Sequence, residues 1–329
     1  MALARTGLVV GKFDPPHRGH SLLIDVARAH VQHVVVQLWD YPGQETPAAL
    51  RARWMREIFP DIELHVIPDD ANVAADDMSA QARHAMRFLG ERSVDVLFTS
   101  EPYGELLAAE LGARHYSVDR ARQMIPCTGT MVRRAPLEHL QWLEPCVRAH
   151  FVKRVCVVGS ESTGKTSLCE RLARHYATSW VAEYGREYSL IKVRQGYLGR
   201  WVADEFVHIA CEQQRREDEA ARSANRLLFC DTDAFATEIW YERYLEHEPE
   251  RWPVPESKID LYLIPFPDVP FVADEIRDGE HMRYWMYDRM VRELTERGRP
   301  FQVLQGPYEE RDAQAIAAID AMLSTATAS

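Results

Sequence analysis

The sequence predicts an α/β protein of two domains in series, each built on a parallel sheet, and three features carry that expectation. The length of 329 residues corresponds to about two domains of roughly 150 residues. Short apolar runs rich in β-branched residues alternate with helical stretches, the pattern of parallel strands covered by helices on both faces. The alternation begins afresh near residue 154, which puts the boundary near 150 and gives domains 1–150 and 151–329.

The strands expected in the first domain are GLVVGKF (7–13), HVVVQLW (33–39), IELHVIP (62–68) and VDVLFTS (94–100). Those in the second are RVCVVG (154–159), SWVAEY (179–184), RLLFCD (226–231), DLYLIP (260–265) and PFQVLQ (300–305). Between the two sets, APLEHLQWLEPCVRAHF (135–151) holds enough apolar residues to predict a linking helix rather than a flexible tether.

Composition narrows the partners. With 39 basic against 50 acidic residues the net charge is −11, which argues against a nucleic-acid binder. The longest apolar runs, VVV (34–36) and LYLI (261–264), fall far short of the ~20 residues of a membrane span. At the N-terminus the apolar stretch runs straight into Lys12 and Asp14, which is not a secretory signal. The six cysteines form no CxxC pair and read as reduced core residues. A soluble, cytoplasmic protein is expected, with no nucleic acid and no membrane as partner; a homo-oligomer stays open.

In open parallel sheets ligands sit beyond the carboxyl ends of the strands. After the first strand comes Gly11-Lys12-Phe13-Asp14-Pro15-Pro16-His17-Arg18-Gly19-His20, followed by the amphipathic run SLLIDVARAH. His17 and His20 therefore lie at a helix N-terminus, where backbone amides and the positive dipole end favour an anion. Three residues apart, they can point the same way, and Gly19 lets a phosphate approach the backbone.

The second domain offers a different device. Gly159-Ser160-Glu161-Ser162-Thr163-Gly164-Lys165-Thr166 fits GxxxxGK[ST] between a strand and a helix beginning at Ser167, the context of a P-loop. Its amides would wrap a triphosphate, Lys165 would reach the β/γ oxygens and Thr166 would hold Mg²⁺. Asp231 and Asp233 end a later strand as candidate Mg²⁺ contacts, although acidic residues there are often turn formers. Glu183 and Arg186 follow the strand after the P-loop helix, placed to accept an acceptor's proton and to hold phosphate. The charged segment 274–283 resembles a lid carrying Arg277 or Arg283, with a solvated loop as the alternative. Trp180 reads as a core aromatic.

GKFDPPHRGH closely resembles the HxGH signature of nucleotidyltransferases. Cys127-Thr128-Gly129-Thr130-Met131-Val132-Arg133 is similar to their second signature, ISGTxVR, with Cys for Ile and Thr for Ser. Taken with the P-loop, Ala182-Glu183-Tyr184-Gly185-Arg186-Glu187 and Asp231-Thr232-Asp233, the chain resembles in order and spacing the bifunctional NadR type. In that family nicotinamide-mononucleotide (NMN) adenylyltransferase is joined to ribosylnicotinamide kinase. The resemblance implies a Rossmann-like nucleotidyltransferase sheet followed by a P-loop kinase sheet. It implies two ATP-dependent steps, nicotinamide riboside to NMN in the second domain and NMN to NAD and pyrophosphate in the first. His17, His20, Lys12 and Arg133 would stabilise the leaving pyrophosphate, with Gly11, Phe13, Thr128, Gly129 and Thr130 lining the site. Trp39, Trp54 and Asp40 are the nicotinamide candidates in the first domain; Tyr184 and Trp240 are those in the second. Some members carry an N-terminal helix-turn-helix repressor, which this chain is expected to lack. Two rival readings stay open: another phosphate acceptor with a different nucleoside, and a nucleotide sensor without turnover.

Overall fold

The structure is a computed structural model and describes residues 4–70, 73, 77–197, 199–277 and 279–326. It divides into two units, Met1–Arg148 and Ala149–Ser329. The first comprises β1 (Ala4–Gly11), α1 (Arg18–His30), β2 (Val31–Asp40), α2 (Ala48–Ile58), β3 (Glu63–Pro68), α3 (Met78–Arg87), β4 (Val96–Thr99), α4 (Gly104–Glu110), β5 (Arg114–Ser117) and α5 (Gly129–Arg134). Its five strands are all parallel, in the order β3-β2-β1-β4-β5.

The continuous apolar runs are explained by two-sided cover. Leu8, Val35 and Leu97 lie in register and pack with α3 and α4 through Ala82, Leu107 and Ala108. One residue on, Val9, Val36 and Phe98 pack with α1 and α2 through Leu23, Ile24, Ala52 and Met55. Each such fully buried side chain contributes about 1.5–3 kcal/mol. The chain leaves β1 toward β2 and β3, then returns to place β4 on the other side of β1. This reversal opens a crevice at the carboxyl ends of β1 and β4.

The second unit holds β6 (Lys153–Val157), α7 (Lys165–His175), β7 (Ser179–Val181), α8 (Tyr184–Arg194), α9 (Ala203–Ala221), β8 (Leu227–Asp231), α10 (Ala234–Leu245), β9 (Leu261–Pro265), α11 (Arg283–Glu296), β10 (Phe301–Leu304) and α12 (Tyr308–Ala326). They build a second parallel sheet, β10-β9-β6-β8-β7. Val155, Val157, Phe229, Leu263 and Leu304 bury one face against α7 and α12. The α/β fold class with two parallel sheets is as expected, and Trp180 packs against this core.

One expectation is corrected, and one strand is added. The stretch 135–151 is not one linking helix: Pro136–Glu138 and Leu140–Trp142 are 3₁₀ turns, and only Pro145–Phe151 (α6) is α-helical. Pro136 and Pro145 can each start a helical turn but cannot continue one, because they lack the amide hydrogen. Strand β5, which is not among the strands expected from the sequence, is a short, largely exposed edge strand of Arg114, His115, Tyr116 and Ser117.

Candidate active sites

His17 is the N-cap of α1, in extended conformation, and its Nδ1 accepts from the Gly19 amide at 3.1 Å. His20 Nδ1 accepts in turn from the His17 amide at 3.2 Å. With Nδ1 of both rings occupied by backbone donors, the neutral imidazoles carry their proton on Nε2, so each offers a single outward donor. The rings stack with centroids 3.8 Å apart, and Phe13 meets His20 edge-on at 4.9 Å. Burial, with the Arg122 guanidinium nearby, lowers the His17 pKa to about 4. His20 falls well below its usual value through burial, His17 and Arg122. Gly19 is required by this stacking too: a Cβ there would come within 2.9 Å of the His17 ring.

These groups open onto a cavity of about 390 Å³ lined also by Gly11, Lys12, Phe13, Gly19, Thr128, Gly129, Thr130 and Arg133. Thr128 caps α5, accepting from the Met131 amide at 3.1 Å. Arg133 bonds the Asp14 carbonyl, and its Nε lies 3.3 Å from Glu45. Lys12 sits over the Tyr41 ring at 5.1 Å.

Sequence reasoning missed Arg122 and Glu101. Arg122 lines the cavity, donating to the Cys127 carbonyl at 3.1 Å and to Glu101 at 2.9 Å. Its loop is shaped by Asp119, whose carboxylate accepts from the amides of Gln123, Met124 and Ile125. No motif marks this loop; an aspartate followed by amide-bearing turn residues just before CTGT is the only signal.

Three first-domain candidates lie elsewhere. Trp39 and Trp54 are buried and absent from the wall of this cavity. Asp40 instead accepts from the fully buried Arg51 at 2.7 Å, which also holds the carbonyls of Thr46 and Trp39. This arginine braces the loop after β2.

In the second unit the loop after β6 has the backbone of a phosphate cradle. Gly159, Ser162 and Gly164 adopt φ of 155°, 57° and 85°. At Gly164 a Cβ would also strike Tyr308 at 2.9 Å. Lys165 donates to the Ser160 carbonyl at 3.0 Å, as does Thr163 at 2.9 Å. Thr166 Oγ1 donates to Asp231 Oδ2 at 2.5 Å, while Asp231 Oδ1 is buried with no partner among the described residues. A hydroxyl beside a carboxylate with a spare buried oxygen is a donor set suited to Mg²⁺ carried on phosphates.

Glu161, Ser162, Thr163, Ser167, Glu183, Arg186, Arg277 and Trp240 share with the loop a cavity of about 140 Å³. Glu183 makes no capping bond on α8. Burial, opposed by Lys165 and reinforced by Asp231, raises its pKa to about 7. Arg186 and Arg277 both pair with Asp274, at 2.7 and 3.4 Å. The lid segment continues to Asp278, which lies outside the described residues.

Asp233, Arg283 and Tyr184 are placed differently from expectation. Both carboxylate oxygens of the fully buried Asp233 are engaged, one capping α10 through the Ala236 amide and one accepting from Tyr262 at 2.8 Å. Asp233 is also absent from the cavity wall. Arg283 is buried under Phe271 and donates to the Val269 carbonyl, off the cavity wall. The Tyr184 ring lies against Arg216 and His208 rather than in the cavity.

The wall instead includes Trp201, Phe206 and Tyr244 beside Trp240, with Trp201–Tyr244 centroids 5.2 Å apart. Gln213 ties the site together, accepting from the Tyr184 amide at 2.9 Å and donating to the Thr232 carbonyl at 3.2 Å. Drawn from α9, α10 and the loop that precedes α9, these residues give no local motif.

Two family models match the chain. Residues 8–135 match the cytidylyltransferase-like family model, and residues 154–311 match an AAA domain model. The chain is 27% identical over 292 residues to the trifunctional NAD biosynthesis/regulator protein NadR of Escherichia coli K12, covering 82% of this chain and 71% of that one. The protein of the same name from Salmonella typhimurium is 26% identical over the same shares. Among solved structures, a NadR protein in complex with NR superposes with a TM-score of 0.78 at 24% identity, covering 97% and 96% of the two chains. A NadR protein with NAD and AMP-PNP gives 0.74 at the same identity and coverage. These two likenesses establish the fold.

Proposed function

We infer that this homologue of the NadR proteins is a bifunctional enzyme of NAD biosynthesis. Its domain 151–329 phosphorylates nicotinamide riboside with ATP, and its domain 1–150 transfers the adenylyl group of ATP to the resulting NMN. The observation that supports this best is the presence of both cradles in one chain that aligns over 82% of its length with a NAD biosynthesis/regulator protein NadR.

In adenylyl transfer a phosphate oxygen of NMN forms the new bond to the α-phosphorus of ATP, and pyrophosphate leaves. The nucleophile is already anionic, so no side-chain base is required, and catalysis consists of positioning and charge neutralisation. His17 and His20 supply neutral Nε2–H donors; Lys12 and Arg133 supply positive charge. In the kinase step the riboside hydroxyl attacks the γ-phosphorus and ADP leaves. Glu183 takes the proton, as a carboxylate held near neutral pKa is suited to do. Lys165, Arg186 and Arg277 neutralise the transferred group, and Trp240 offers a face to the cationic pyridinium. Mg²⁺ would be held by Thr166 and Asp231 and would shield the phosphate charge. No helix among the described residues is long and apolar enough to cross a membrane, which accords with work in the cytoplasm.

Purified chain given nicotinamide riboside, ATP and Mg²⁺ should release ADP, pyrophosphate and NAD. Nucleotide binding without any turnover would favour a sensor and overturn the assignment.

A further inference from the structure

The loop GSESTGKT carries a residue that its phosphate chemistry does not require. Triphosphate is held by loop amides, lysine and the hydroxyl, and a carboxylate in the same loop opposes an anion. Glu161 is nonetheless only 8% exposed. One of its oxygens accepts from Arg243 at 3.0 Å and the other from the Gly279 amide at 2.8 Å. The Arg243 side chain is buried as well, and its guanidinium lies 4.9 Å from the Trp240 ring centroid and 4.7 Å from that of Tyr244. Gly279 has no space for a side chain, since a Cβ would come within 2.4 Å of Arg243. The next loop residue, Ser162, bonds both the amide and the carbonyl of Val272, at 3.1 and 3.0 Å. One carboxylate of the nucleotide loop thus grips the cation lying on two cavity-wall rings, together with the far end of the segment that carries Arg277.

We propose that Glu161 and Arg243 are a positioning pair that couples nucleotide binding in the loop to acceptor binding against Trp240 and Tyr244. Stripping a buried carboxylate of its guanidinium is strongly unfavourable, so a shift of the loop around triphosphate carries Arg243 and the rings with it. Each ligand then binds more tightly when the other is present, by the same factor in both directions. The identity of the acceptor rests on the proposed kinase reading; the link itself rests on the geometry.

The test is calorimetric, on the full chain: affinity for nicotinamide riboside with and without a non-hydrolysable ATP analogue, in wild type, Glu161→Gln, Arg243→Met and the double variant. Wild type should show at least about fivefold coupling. Glu161→Gln should bring that factor close to one while still binding the analogue, which reports a folded loop. The double variant should be no worse coupled than either single one. Wild-type coupling retained in Glu161→Gln, or none in wild type, overturns the pair. Riboside that fails to bind wild type counts against the acceptor alone, and the link is then read from tryptophan emission as the analogue is added. A change in wild type that is lost in Glu161→Gln supports it; equal changes overturn it.

Discussion

At the residue scale, the backbone amides that occupy Nδ1 of His17 and His20 do more than close a helix. They fix the tautomer, and burial keeps both rings neutral where ordinary histidines titrate. The sequence announces the pair through its glycine and its helix start. It cannot announce the shift, which comes first from burial and then from charged neighbours such as Arg122, a residue about a hundred positions away. A ring-resonance NMR titration, assigned with a His17→Gln variant, should show no protonation of His17 until the pH is well below 6.5, with a midpoint near 4. A midpoint at 6.5 would remove the neutral-donor mechanism. The linkage has a definite sign. The unfolded chain binds the extra proton between pH 6.5 and about 4, so the contribution is complete above 6.5 and is lost as pH falls through that window. For His17 it amounts to roughly 3 kcal/mol.

At the scale of elements, strands that are buried on both faces were legible because alternate residues such as Leu8 and Val9 both enter a core. Strand β5 was not, because an exposed edge of Arg114, His115, Tyr116 and Ser117 carries no apolar pattern. The aromatic wall was legible only at Trp240, since Trp201, Phe206 and Tyr244 converge through helix packing and not through spacing. Helix α5 shows how closely an element can be fitted to a site. A Cβ on Gly129 would lie 2.9 Å from the Asp14 carbonyl oxygen, a backbone atom that cannot rotate away. The same carbonyl anchors Arg133. Gly129→Ala should push the first turn of α5 outward and carry Arg133 with it. We expect kcat/KM for adenylyl transfer to fall about tenfold, equivalent to ~1.4 kcal/mol, with riboside phosphorylation unchanged. Wild-type adenylyl kinetics in this variant would show that α5 does not set the arginine.

For the whole molecule, each cavity is walled by residues of one unit: the first by residues between Val10 and Arg133, the second by residues between Glu161 and Arg277. Each proposed chemistry is assigned to residues of its own cavity, so the two activities should separate by mutation. Lys165→Ala removes the charge proposed to reach the transferred phosphate and should lower riboside phosphorylation by a factor of about 10²–10³, while supplied NMN is still converted to NAD. His20→Ala removes one Nε2 donor and should give the opposite result, with ADP still formed from riboside but NAD formation from NMN reduced by a similar factor. Neither variant alone should carry riboside through to NAD at the wild-type rate. An equimolar mixture of the two should recover the full conversion, because NMN released by one protein is a substrate for the other. Loss of both activities through either substitution, in protein that melts like the wild type, would mean that the sites act as one.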